Sequence, residues 1–94
     1  MLIHVTKAKY LHDYEVELTF NDGKTGIVNL ENELYGTMFE PLKDKKVFSS
    51  VKLDKEIDTI SWKNGADLAP EFLYYQSFKD DKSLTEQFKQ WGYI

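Results

Sequence analysis

Few side chains in this sequence are equipped for chemistry, and their spacing narrows the field further. There are two histidines, His4 and His12, and no cysteine. Without cysteine, disulfide scaffolds, thiolate zinc sites, cysteine nucleophiles and redox motifs are excluded. His4 falls in a strand-like stretch and His12 beside a turn, which is not the spacing of a helical zinc pair. No G-x-S-x-G elbow is present to supply an activated serine. His12-Asp13 reads as an exposed pair in a turn. The sequence therefore assigns no catalytic residue, no metal ligand and no cofactor, and it leans away from an enzyme.

Carboxylates are more plentiful but mostly have ordinary work. Glu15 and Glu17 share the wet face of a strand, and Glu31 and Glu33 flank a short helical piece. Glu40, Asp67 and Glu71 are the acids that stand beside aromatics and turns. Were Glu40 and Asp67 to share a cleft, one pKa would rise and the two would form an acid/base pair. Structural roles already suffice for both.

The stretch Ser61-Trp62-Lys63-Asn64-Gly65-Ala66-Asp67-Leu68-Ala69-Pro70-Glu71 concentrates the special residue types. Asn-Gly favours positive φ and a sharp reversal. Pro beside an acid suits a helix start. The functional reading makes Trp62, Asn64 and Asp67, with Glu40, the walls of a ligand cleft. The bland reading has Gly65 making the turn, Asp67 capping the helix and Trp62 packing in the core. Further on, Phe72, Tyr74, Tyr75, Phe78, Phe88, Trp91 and Tyr93 crowd the last third of the chain. Most must be core. Tyr75, Trp91 and Tyr93 are the residues we expect to form a partner-contact patch, since exposed aromatics mark interfaces.

The elements that position these residues follow from periodicity. Ile3 to Tyr10 reads as a strand of imperfect alternation. Tyr14, Val16, Leu18 and Phe20 alternate strictly with Glu15, Glu17 and Thr19, which predicts a half-buried antiparallel strand. Asn21-Asp22-Gly23-Lys24 is a hairpin turn, and Thr25 to Leu30 returns. Gly36 stops a short helical piece, Pro41 fits a first turn and Asp44 can cap a turn carrying Val47 and Phe48. Val51-Leu53 and Asp58-Trp62 predict a further strand pair. A helix runs from Pro70 to about Ser77. Ser83-Leu84-Thr85-Glu86 reads as a capping box, with Leu84, Phe88 and Trp91 on one stripe and Gly92 as the stop. The expected fold is α+β: one small two-layer domain over residues 1–94. Its sheet is mainly antiparallel, of about five strands, with helices on one face.

Composition agrees. The 94 residues are 41% hydrophobic with fourteen aromatics, enough for one core. The net charge is −4 and all twelve basic residues are Lys. Without Arg, bidentate reading of guanine or phosphate is disfavoured, whereas an acidic surface suits a basic protein partner. No leader-like N-terminus and no apolar run near the ~20 residues of a membrane helix is seen, so a cytoplasmic protein without membrane contact is expected.

Three stretches together carry a resemblance. They are Trp62-x-Asn64-Gly65-Ala66-Asp67-Leu68-Ala69-Pro70-Glu71-x-Leu73-Tyr74, Phe20-x-Asp22-Gly23-Lys24-x-Gly26-x-Val28-x-Leu30, and Gly36-x-Met38-Phe39-Glu40-Pro41-Leu42-x-Asp44 with Val47-Phe48. The pattern resembles the small bacterial family called domain of unknown function twenty-four forty-two, whose structural group is named after the N-terminal domain of a Nitrosomonas protein. The likeness spans a core from residue 5 to residue 75 and leaves a helical extension over residues 79–94. It implies a small α+β fold and no known activity. Some members carry this domain before a DNA-binding helix-turn-helix. Others stand alone beside another small protein, which implies regulatory or toxin–antitoxin pairing. The tail here holds one helix, too short for a helix-turn-helix.

The leading expectation is a non-catalytic protein-interaction or regulatory, antitoxin-like module with a small bacterial protein as partner. The alternatives are a small-ligand domain or enzyme with its cleft at Trp62, Asn64 and Asp67, and a homodimeric structural module.

Overall fold

Alternation of apolar and polar residues builds the first layer. The structure, a computed structural model, describes residues 2–94. Val5–His12 (β1), Glu15–Phe20 (β2) and Thr25–Asn29 (β3) pair antiparallel in the order β1-β2-β3. On β2, Val16, Leu18 and Phe20 are buried while Glu15, Glu17 and Thr19 are half-buried, as a side-chain period of two requires. β1 alternates less cleanly because its register with β2 slips between Val5 and Lys7 and again between Tyr10 and His12. Each slip inserts an extra residue and re-aims the side chains that follow.

The β2–β3 turn does more than reverse the chain. Gly23 takes φ +88°, a conformation that costs glycine little. The Asn21 side chain accepts from His4 N (3.0 Å) and donates to Leu2 O (2.8 Å), so the turn also clasps the N-terminal segment.

The middle of the chain is short and irregular. It comprises 3-10 turns at Glu31–Glu33 and Glu40–Lys43 and a four-residue helix, Lys45–Phe48 (α1). Asp44 caps α1 by accepting from Lys46 N at 2.9 Å. Lys52–Asp54 (β4) and Thr59–Ser61 (β5) then form a separate two-stranded sheet. The five expected strands are present, divided three and two. Val5 N donates to Asp58 O at 2.9 Å where the two sheets meet.

Pro70–Phe78 (α2) begins with proline at its first position and is covered on two sides. Towards the sheet, β3 comes close at Gly26, where an added Cβ would lie 2.9 Å from Ser77 Cβ. Phe20 meets Tyr74 and Phe78 edge-on, with centroids at 5.1 and 5.8 Å. The Tyr74 hydroxyl donates to Asp22 Oδ2 at 2.7 Å. On its other side, α2 is covered by the tail. Thr85–Gln90 (α3) buries Phe88 and ends at Gly92, φ +84°. Gly92 N donates to Lys89 O and Tyr93 N to Phe88 O, both at 3.0 Å. This pair of reversed bonds is the Schellman ending, which satisfies the last carbonyls. It returns Tyr93 towards α2.

One local expectation changes. Ser83 does not open a capping box. Asp81 accepts from Ser83 N (3.0 Å) and Ser83 Oγ (2.7 Å) and starts a 3-10 turn, Lys82–Leu84, that leads into α3. A carboxylate accepts more strongly than a hydroxyl, so the cap forms two residues earlier.

Candidate functional site

The special segment after β5 is a fastening device. Gly65, φ +89°, donates its N–H to Trp62 O at 3.0 Å, and Trp62 N donates to Ala66 O at 2.9 Å. This closes the turn expected at Asn64-Gly65. The Asn64 side chain serves both sides of it. Its Oδ1 accepts from Ala66 N (3.1 Å) and its Nδ2 donates to Met38 O (2.8 Å). Trp62 reaches in the other direction. It is 2% exposed, and its Nε1 donates to Phe48 O at 2.9 Å. Thr59 Oγ1 donates to Leu68 O at 2.6 Å. Three side chains of one strand-to-helix joint thus hold Met38, Phe48 and the lead into α2.

This geometry assigns the expected ligand residues to other places. Trp62 lies inside the core against Phe48, with ring centroids 5.5 Å apart, and its only polar atom is satisfied. Asn64 is exposed but both ends of its amide are engaged. Asp67 is exposed and forms a backbone bridge with Ser61. It does not cap α2, whose first residue follows Ala69 with no side-chain cap. Proline at the first position removes one of the unpaired donors of the first turn. Glu40 is exposed and pairs with Lys43 at 3.3 Å. No hydrogen bond joins Glu40 to Asp67 among the described residues, whereas Asn64 reaches the Met38 loop.

The aromatic tail packs on itself. Tyr75 stacks on Tyr93 at 4.9 Å and 15°, and meets Phe88 edge-on at 5.0 Å. Trp91 sits against Tyr74 at 5.8 Å and Phe88 at 6.0 Å. All three expected contact residues are half-buried. Burial, with the Glu71 carboxylate nearby, pushes the Tyr93 phenol above its ordinary pKa.

Large apolar side chains are open at Leu2, Ile27, Ile57 and Ile94 and, beside the joint, on the segment that it holds. Tyr35 is 68% exposed and Met38 45%. Between this segment and the start of α2 runs a groove of about 320 Å³, lined by Glu33, Tyr35, Phe39, Leu68 and Phe72. Sequence reading missed it because the two walls are about thirty residues apart and neither has a periodic pattern. The available signal was the exposed-type Tyr35-Gly36-Thr37-Met38 run, in which large apolar side chains sit in a turn. Phe72 also links the groove to the tail, its ring centroid 6.3 Å from that of Tyr93. A second hollow, of about 470 Å³, is lined by Lys7, Lys9, Glu17 and Leu53, with Ala8 and Thr19.

Among the described residues, no group of three His, Cys, Asp or Glu side chains is placed to hold a metal, and no helix is long and apolar enough to cross a membrane. The histidines lie apart in acidic company. His4 Nδ1 is 3.2 Å from Asp58, and His12 Nδ1 is 3.3 Å from Asp13. Lys45 reaches Asp13 at 3.0 Å and holds its carboxyl below the ordinary value.

Comparison with known proteins adds fold and family. A search of curated proteins returned no match. Among solved structures, the chain is similar to the Nitrosomonas europaea ATCC 19718 protein named "Putative DNA Binding Protein NE0471". The two share 16% identity at a TM-score of 0.74, over 85% of this chain and 52% of that one. The chain therefore spans about half the length of that protein. At this identity the likeness shows the fold. A family profile described as protein of unknown function (DUF2442) matches residues 5–79, most of the chain, and the chain belongs to that family.

Proposed function

We propose that this domain is a non-catalytic protein-interaction module, acting as a regulatory, antitoxin-like partner of a small bacterial protein. The observation that carries the reading is the groove between Tyr35-Phe39 and the start of α2, with Tyr35 and Met38 exposed at its side. Exposed aromatics and Met beside a concave apolar surface are the residue types enriched at interface centres. The surrounding geometry supports it. Asn64 ties the Met38 carbonyl, so the surface is preformed and loses little entropy on binding. A net charge of −4 with no Arg favours a protein partner over a phosphate backbone. Tyr75, Trp91 and Tyr93 remain part of the proposal only as the margin of the same surface, through Phe72.

The test is in-cell cross-linking of the tagged protein in its native host, with a Tyr35→Ser, Met38→Ser double variant beside it. One reproducible small partner, lost in the variant, is the expected result. No reproducible partner, or one captured equally by the variant, overturns the reading. A second reading, a small-ligand cleft beside the same joint, is favoured by one observation: Leu68 and Phe72 from the motif region line the groove. Native mass spectrometry of protein purified from the host would reveal a retained ligand, and an empty spectrum removes this alternative.

A further inference from the structure

We infer that the groove receives a basic amphipathic segment of the partner: apolar side chains seated between its walls, with Lys or Arg at its rim. This rests on the interaction reading above and specifies its chemistry.

The argument is one of charge. The chain carries twelve Lys, yet none lies in either segment that lines the groove. Residues 31–40 hold Glu31, Glu33 and Glu40, and residues 67–72 hold Asp67 and Glu71, which makes five acids and no base. The two longest Lys-free stretches of the chain, residues 25–42 and 64–78, are the ones that supply the two walls. Acids and lysines alternate in other segments, as in Lys52-Leu53-Asp54-Lys55-Glu56, while residues 10–23 also hold four acids and no Lys. The second hollow contrasts, since Lys7 and Lys9 stand there beside Glu17. The two wall segments themselves therefore carry charge of one sign, with Lys43 paired to Glu40 just beyond the first of them.

Two of these acids are placed. Glu33 lines the groove itself. Glu71 lies close enough to Tyr93 for its charge to act on the phenol, and Tyr93 packs on the groove residue Phe72. Among the described residues Glu33 makes no ion pair, whereas Glu40 is paired with Lys43. Glu33 is thus available to an incoming cation. At about 320 Å³ the groove is at the lower end of the pocket range, about 300–1,000 Å³. That is room for a few apolar side chains and not for a folded domain. Apolar walls with an acidic rim fit an amphipathic segment whose polar positions are basic. An acidic segment would meet like charge, and a neutral one would leave Glu33 uncompensated.

The experiment is selection of a displayed library of short random peptides on the immobilised full chain, counter-selected on the Tyr35→Ser variant. Enriched peptides should be net basic with apolar residues at helical or alternating spacing. Glu33→Lys should weaken the best of them by about tenfold, and binding should fall steeply between about 0.05 and 0.5 M salt. Glu33→Gln should give a smaller loss, and Glu17→Lys at the other hollow should give none. Neutral or acidic consensus peptides, or indifference to Glu33→Lys, overturn the inference. So do enriched peptides that bind the Tyr35→Ser variant equally, or no enrichment at all. If the groove is instead filled by a second copy of the chain, sedimentation would show a dimer that Tyr35→Ser dissociates, and the inference also fails. A partner found by cross-linking that protects another surface would sink this inference while leaving the interaction reading intact.

Discussion

Replacing Trp62 with Phe separates a residue that walls a ligand site from one that holds the fold together. The indole donates from Nε1 to Phe48 O at 2.9 Å and packs on the Phe48 ring. Phenylalanine keeps a ring but loses the donor and several heavy atoms. The hydrogen bond contributes about 1 kcal/mol. The upper end of that range does not apply, because Phe48 O also accepts from Val51 N at 3.1 Å and is not orphaned. The lost volume lies in a site only 2% exposed, so part of it stays as a void and costs about 1–2 kcal/mol more. The sum is about 2–3 kcal/mol, a large share of the stability of a small domain. For a domain of this size it corresponds to a fall of about 8–24 °C in melting temperature. Urea unfolding followed by far-UV circular dichroism measures it without relying on the fluorophore removed. A loss below about 0.5 kcal/mol, the range of an ordinary surface change, would refute the core role and reopen Trp62 as part of a ligand site.

Other substitutions test the remaining joints. Gly26→Ala should gain about 0.5–1 kcal/mol from chain entropy but lose about 1–3 kcal/mol to overpacking. The contacts are Ser77 Cβ at 2.9 Å, fixed to the backbone of α2, and the Phe78 ring at 3.0 and 3.1 Å, so the loss should win. Adding Ser77→Gly should recover part of it in a double-mutant cycle, and no coupling would place the strain at the Phe78 ring instead. Asn64→Ala frees the Met38 carbonyl and should raise hydrogen–deuterium exchange over Thr37–Glu40 while the core amides stay protected. Unchanged exchange there would mean the amide does not hold the loop. Tyr74→Phe addresses alkaline stability. Burial, and then the Asp22 hydrogen bond, raise the Tyr74 pKa in the folded state. The stability this carries is complete below the ordinary phenol value of about 10 and is lost as pH rises through the higher folded value. The variant should therefore be less stable at neutral pH, from the lost hydrogen bond, yet show a shallower decline above pH ~10. An identical alkaline slope in both proteins would argue against the shift.

The legible parts of the fold were those written into neighbouring residues. Val16, Leu18 and Phe20 alternate because a strand exposes its faces in turn, so their burial needed no tertiary information. The Gly23, Gly65 and Gly92 reversals and the Asp44 cap likewise depend on a few adjacent dihedrals and donors. Asp67 does not cap α2, and the sequence does not show it, because Ala69 ends the lead into α2 without a side-chain cap. The capping box at Ser83 failed for a similar reason, with Asp81 a better acceptor close by.

The sequence by itself determined which elements form, where the chain turns and which chemistries lack the residues to occur. Only the tertiary structure decided where the side chains of the distinctive segment go. Whether Trp62 floors a cleft or binds Phe48 O depends on a partner fourteen residues away. Whether Tyr75 and Tyr93 face solvent or each other depends on how Gly92 returns the tail. The groove between Phe39 and Phe72 exists only when two distant segments are brought side by side. Local preference sets each residue's conformation, but exposure is a property of what packs against it, and that is fixed by contacts remote in the chain.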